Sequence, residues 1–345
     1  MTEIFLTSKT NNRMLYIHEN IKAKDMIKKT ILMLTTLLVS STALANSSLE
    51  TEGTTSFIVT PSVAYRYDIF KWSIPDDIFP QKKLSELVWK NHIVQPSIKI
   101  ETEPQANQFT ILGQVKYGYI LKNQSKSWDH DWDHTRDRIG NVISKLRSTT
   151  KSQATGNILD LSGAVGYSLD LFKDSLLTFY VGYDYSDYRN KNYGDIQLAY
   201  KTNFSFSLGG LNQKYNFKNL SPWVGLSLNT PLNEKFIIIP TIKFYSFKYI
   251  GKGYWIHRGD FHQNPSFKQN AKGTGLGFDV DFVYKYSDNL DLTLNLESKR
   301  FKIKKGTEKL FYNTAAFGGE RVASGKLLDL SLMSSTISFG VNYKL

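Results

Sequence analysis

"LDLSGAVGYSLDLF", residues 159–172, decides the fold, because its side chains sort into two classes with a period of two. Leu159, Leu161, Val165, Tyr167, Leu169 and Leu171 fall on one face, and Asp160, Ser162, Ala164, Gly166, Ser168 and Asp170 on the other. A helix would mix the two sets, whereas a strand separates them. The same alternation continues across a short connection, "FKDS", into "LTFYVGYDY", with Leu177, Phe179, Val181, Tyr183 and Tyr185 on one face. It returns in "GFDVDFVYKY" (277–286), in "LDLTLNLE" (290–297) and in the final "STISFGVNYKL", which runs to Leu345.

Long amphipathic strands make either a soluble sandwich or a membrane barrel whose apolar face meets lipid. Three features select the barrel. Tyrosines gather near strand ends, at Tyr65, Tyr67, Tyr183, Tyr185, Tyr284 and Tyr286, as an interfacial girdle requires. Connections alternate between tight (172–175, 230–235, 286–289) and long (121–156, 187–209, 251–273, 304–326). The last strand reaches the C-terminus, where it can close on the first. The expectation is an all-β, antiparallel, up-and-down transmembrane β-barrel of about ten strands, near 54–66, 88–101, 106–121, 156–172, 175–188, 210–229, 235–252, 272–287, 289–304 and 327–345. An even count puts both termini in the periplasm and the long loops outside the cell.

The N-terminal region agrees with export. From Met26 the chain reads Lys28-Lys29, an apolar run from Ile31 to Val39, then Ala43-Leu44-Ala45. Those are the parts of a secretory signal peptide cleaved after Ala45, and the apolar core is too short to span a bilayer as a helix. Residues 1–45 are therefore expected to be an extension plus signal, and 46–345 the barrel. With no cysteine, disulfides and thiolate sites are excluded. The charge of +12 asks for an anionic partner; after an export signal that partner is lipid phosphate, and no nucleic-acid motif is present.

One segment is unusually rich in chemistry. "SWDHDWDH" (127–134) holds three aspartates, two histidines and two tryptophans, and is expected in the external loop after the third strand. A metal site could draw on His130 and His134 with Asp129, Asp131 and Asp133, but the spacing matches no established zinc or EF-hand pattern, so no metal is expected. A solvated loop is the plain alternative. Catalysis needs a group to hold water and another to take its proton: two close carboxylates do the first, and an imidazole oriented by a carboxylate does the second. Asp260 and His262, in the external loop after the seventh strand, have the right types.

"KLSELVWKN" (83–91), "QFTILGQVKYGYI" (108–120), the D-x-D-W of Asp129 to Trp132 and the D-x-H of Asp260 to His262 together resemble the omptins. These are ten-stranded outer-membrane proteases with the active site in an external groove. The resemblance implies an endopeptidase in which Asp129 and Asp131 hold the attacking water, His262 is the general base and Asp260 orients it. It implies peptide or protein substrates, no cofactor, a monomer, and dependence on lipopolysaccharide held by basic side chains of the outer wall. Lys299, Arg300 and Lys302 of "KRFKIKK" are the candidates for that wall. Omptins that cut beside basic residues carry an acid in the first external loop. Here "DIFKWSIPDD" puts Trp72 near that place with Asp68, Asp76 and Asp77 displaced, and Asp137 is the substitute candidate in the second loop. The alternative to an enzyme is a non-catalytic barrel, an adhesin-like surface protein or a narrow channel.

Overall fold

The computed structural model describes residues 56–345, apart from 173–174, 200–203, 208–212, 257–258 and 314–320. The expected signal peptide from Met26 to Ala45 lies outside the described residues. Thirteen strands follow in chain order: β1 (Phe57–Pro75), β2 (Lys83–Thr102), β3 (Phe109–Ile120), β4 (Lys126–Arg136), β5 (Val142–Phe172), β6 (Ser175–Ala199), β7 (Phe204–Ser207), β8 (Lys214–Pro231), β9 (Phe236–Tyr254), β10 (Phe267–Ser287), β11 (Leu290–Tyr312), β12 (Arg321–Lys326) and β13 (Asp329–Lys344).

Antiparallel pairing closes them into a ring. β1 pairs β2, β2 pairs both β3 and β4, both of these pair β5, and the ladder runs on through β6, β8, β9, β10, β11 and β13 back to β1. β3 and β4 occupy one position between β2 and β5, so the ring has ten positions, as the alternation predicted. β7 and β12 are short additions to β6 and β11.

The strands are longer than the sequence suggested. β1 continues to Pro75, β5 begins at Val142, and β6 extends to Ala199. Segments expected as external loops are therefore wall, above all "SWDHDWDH", which is strand β4. These extensions lack an apolar outer face because they rise above the lipid-facing band, and without that face they read as loops.

The band itself is plain. Val63, Val165, Val181, Val224, Phe244, Leu276, Phe278, Leu292, Leu296 and Phe339 are exposed on the outer face. Tyr65, Tyr183 and Tyr286 flank it, also exposed, as interface rings do. One end of the barrel carries Phe57, Lys344 and the tight turns; the other carries the extensions and long connections. We call them the turn end and the loop end.

Inside, two layers fill the lumen. Toward the turn end the filling is polar and ion-paired. Arg66 meets Asp68 at 2.7 Å and Asp160 at 2.8 Å and also donates to Tyr188 Oη. Lys116 meets Glu297 at 3.1 Å, Lys243 meets Asp279 at 2.8 Å, and Asp184 gathers Ser162, Trp223 and Lys299. A cavity of about 290 Å³ remains among them.

Above this network the lumen is shut by rings. Phe70, Trp89, Tyr188, Tyr215, Phe217 and Tyr249 are each at most 2% exposed. Phe217 stacks on Phe70 at 4.3 Å and on Tyr188 at 4.2 Å, Trp89 stacks on Tyr215 at 4.9 Å, and Trp72 meets Phe267 edge-on at 5.5 Å. Gly253 lets Phe267 into this layer, since a Cβ there would lie 2.0 Å from the ring. Rings of this size each bury about 150–250 Å². The plug is thus a soluble-type core at the level where the strands leave the lipid band.

Candidate active site

Strand geometry answers why acids and histidines crowd into residues 127–134. β4 is hydrogen-bonded on both sides, to β2 and to β5. Asp129 lies opposite Leu87 and Asp131 opposite Ser85, on the side of β2 whose Leu87, Trp89 and Ile93 are buried in the core. Alternation therefore turns both aspartates inward and His130, opposite Glu86, to the other face. Ser85 Oγ donates to Asp129 at 3.2 Å, and Ser148 Oγ to Asp131 at 3.0 Å. A bulge between Asp131 and Trp132 leaves Arg147 as the extra residue of β5. Its guanidinium lies 3.6 Å from Asp131 and 3.7 Å from Asp133.

The two histidines are engaged elsewhere. His130 Nδ1 shares a 2.9 Å hydrogen bond with Thr149 Oγ1, and burial lowers its pKa against the opposing pull of Glu86 and Asp131. His134 bonds Ser144 Oγ at 2.9 Å and donates from Nε2 to the Lys83 carbonyl at 2.7 Å.

The second motif is held differently. Phe261 makes an isolated bridge to Tyr312 and is buried against its ring at 5.2 Å, while His262 N donates to Phe311 O at 2.8 Å and Asn313 N to Asp260 O at 2.8 Å. This pins Asp260 to His262 to the end of β11, between β9 and β10. Counting around the ring, β4 stands at the third position and β9 to β11 at the seventh to ninth, so the motifs occupy opposite walls of the loop end. The His262 side chain is exposed, and its Nδ1 accepts a 3.2 Å hydrogen bond from Asn264 N. That contact keeps the ring proton of neutral His262 on Nε2.

Other candidates fall as follows. Asp137 lies in the β4–β5 turn, where its carboxylate accepts from Ile139 N (3.0 Å), Asn141 N (2.8 Å) and Asn141 Nδ2 (3.1 Å), so it serves its own turn. Trp72 belongs to the plug, Asp68 to the Arg66 network, and Asp76 caps Ile78 and Phe79. Lys299 corrects the reading of "KRFKIKK" as outer wall throughout: it faces the lumen and pairs with Glu297 and Asp184, whereas Arg300 and Lys302 are exposed outside. Period two runs from Lys299 to Ile303, whose odd residues point in, and the shift at Lys304 turns Lys305 outward.

Sequence reading missed a buried acid chain beside the plug. Gln269 Nε2 donates to Glu308 Oε1 at 2.7 Å, Tyr215 Oη donates to Gln269 Oε1 at 2.5 Å, and Tyr249 bonds Tyr215. Glu308 is 3% exposed, and burial pushes its pKa up to about 7 against the pull of Gln269. The ladder between β10 and β11 shifts where Lys272-Gly273 faces Ile303 and Lys305, which leaves Lys304 extra and turns Glu308 inward. A polar residue at an inward position would have been the signal, had that shift been visible.

The closed antiparallel ring with an apolar outer band defines an outer-membrane β-barrel. The family model for the Protochlamydia outer membrane protein matches residues 61–345, and the chain belongs to that family. Among solved structures, the outer membrane protease OmpT of Escherichia coli is similar at a TM-score of 0.67 and 15% identity, covering 87% of this chain and 99% of that one. The transport unit of the autotransporter AIDA-I from Escherichia coli gives a TM-score of 0.36 at 9% identity over 88% and 96% of the chains. The translocator domain of NalP from Neisseria meningitidis gives 0.33 at 10% identity over 92% and 98%. No curated protein matches the sequence.

Proposed function

We propose that this barrel is an omptin-like endopeptidase, with the loop end outside the cell. The observation that carries the proposal is the pair Asp129 and Asp131, turned inward on a strand fixed at both edges, across the ring from Asp260 and His262. In this reading the two carboxylates hold a water between the walls. His262 takes a proton from that water as its oxygen adds to the peptide carbonyl, and returns the proton to the leaving amine as the C–N bond breaks. The cycle needs His262 with its proton on Nδ1 toward Asp260 and a free lone pair on Nε2, so Asn264 N must first release Nδ1. Substrate closing over 259–265 would drive that exchange.

The fold shared with OmpT supports the barrel, and the motifs supply the chemistry. A peptide substrate, a monomer and activation by lipopolysaccharide belong to the same proposal, with no cofactor and no nucleic acid. Preference for basic side chains does not, because the position near Trp72 is a plug ring and Asp137 is committed to its turn.

A non-catalytic surface barrel is the second reading, favoured by the same Asn264 contact, which holds His262 in the wrong tautomer for a base. A narrow channel is disfavoured by the aromatic plug. The test is cleavage of a mixed peptide library by refolded protein in detergent with lipopolysaccharide, read by mass spectrometry, beside Asp129→Ala and His262→Ala. Cleavage lost in both variants supports the protease. Equal product from wild type and variants, or none from well-folded wild type, supports the second reading.

A further inference from the structure

The outward face of β9, β10 and β11 carries an arrangement that the barrel itself does not need. Above the last lipid-facing rung, Phe244 opposite Leu276, come Ser246–Thr274–Lys302, then Lys248–Lys272–Lys305, then Ile250–Asn270–Thr307, then Lys252–Lys268–Lys309. Two rungs are thus lysine on three neighbouring strands. All six lysines are exposed. Lys218 and Lys326 flank the intervening rung, opposite Ile250 and Thr307.

Like charges directly opposite on adjacent strands destabilise a sheet. A surface selected only for solubility would intersperse acids. On the outward face of these strands above Leu276 no Asp or Glu occurs, and among the described residues none of the six ammonium groups meets a carboxylate. Repulsion built in twice, in register, asks for an anion that spans all three strands.

Height identifies its source. Lys272 and Lys268 stand four and eight residues above Leu276, or about 10 and 20 Å above the hydrocarbon edge for a strand tilted by about 40°. Phospholipid headgroups occupy only about 5–8 Å beyond that edge. The lower rung lies just beyond their upper limit and the upper rung well outside them. Between the rungs lie Ile250, Asn270 and Thr307, and the Phe311 ring beyond the upper rung lies 5.5 Å from Lys268 Nζ, so no row of rings offers successive nucleic-acid bases a stacking surface. We infer that this face docks a linear anionic polysaccharide lying outside the bilayer, its sulfate or carboxylate groups shared between the two lysine rungs. The inference rests on the barrel fold and not on the protease.

Heparin, a sulfated polysaccharide, is the probe. Binding to the full-length mature barrel in neutral detergent is titrated at several salt concentrations. Three triple variants are compared: Lys252→Gln with Lys268→Gln and Lys309→Gln; Lys248→Gln with Lys272→Gln and Lys305→Gln; and the charge-matched Lys145→Gln with Lys151→Gln and Lys191→Gln. Circular dichroism verifies folding. Each rung variant should lose at least about tenfold in affinity and reduce the slope of log affinity against log salt by about 2–3, as loss of three neutralised charges requires. The charge-matched variant should stay within about twofold of wild type. Equal loss in all three variants would overturn the inference in favour of net charge. Loss confined to the lower rung, with tighter binding to phosphatidylglycerol nanodiscs than to heparin, would overturn it in favour of the bilayer surface. Absence of heparin binding by wild type at about 0.1 M salt would also overturn it.

Discussion

The lumen below the plug and the lumen at the plug solve the same packing problem with opposite chemistry. Below, the wall faces lipid outside, so apolar side chains are drawn outward and polar ones are left to fill the interior. Charges buried there must satisfy one another, as Arg66 does with Asp68, Asp160 and Tyr188. At the plug the outer face meets water, the preference reverses, and Phe70, Trp89, Tyr215 and Phe217 turn in as they would in a soluble core. Tyr188 joins the layers, stacking on Phe217 while donating to Asp68 at 3.0 Å. The difference teaches that the solvent on the outside of a thin wall sets the composition of the inside.

Breaking the lower layer should cost most. Arg66→Ala leaves Asp68 and Asp160 without their cation, and loss of one partner of a buried ion cluster costs about 3–5 kcal/mol. Urea unfolding in detergent measures it, and a loss below about 1 kcal/mol would mean that water, not pairing, fills the lower lumen.

Phe217→Ala attacks the plug at the ring shared by two stacks, with an expected cost of about 3–4 kcal/mol. It should also raise single-channel current in planar bilayers above that of the wild type. A folded variant that stays closed would show that the seal lies elsewhere.

Glu308 sharpens the contrast through pH. Its acid is pushed up from 4.5 to about 7 in the folded state, so between those values the folded chain holds a proton that the unfolded chain has released. Stability should therefore fall as pH rises from about 4.5 to 7 and stay level above, by about 3 kcal/mol in all. Tyr215 and Gln269, the groups in its chain, carry no charge in that range. Glu308→Gln should flatten the profile; an unchanged pH dependence would assign it to other groups.

The smallest effect concerns the candidate site. Ser148→Ala removes one hydroxyl from Asp131 without touching the strand, and a single hydrogen bond of this kind is worth about 1 kcal/mol. On the proposed protease reading, peptide cleavage should drop about fivefold, with a loss of stability no larger than that of one hydrogen bond.

The ring of ten positions was legible because the lipid-facing half of each strand alternates strongly, as residues 159–172 do. The rising ends were not. Ser148 to Ser152 sets Ser148, Thr150 and Ser152 inward with polar residues between them, so no apolar face alternates for a reader to follow. The residues of the proposed site were read from D-x-D-W and D-x-H, but what supports them in the fold was not legible there. That the first motif is a strand held on both edges, and that Asn264 occupies His262 Nδ1, depends on contacts between segments far apart in the chain. Lys299 shows the reverse case: a single residue of alternation moves a charge from the wall to the lumen.

The aromatic plug makes the loop end a room with one door. Among the described residues, Phe217 and its neighbours stand across the route from that room to the turn end. The stacked rings stand between the loop end and the ion-paired lumen of the turn end. Asp129 and Asp131 therefore face the space on the loop-end side of the rings.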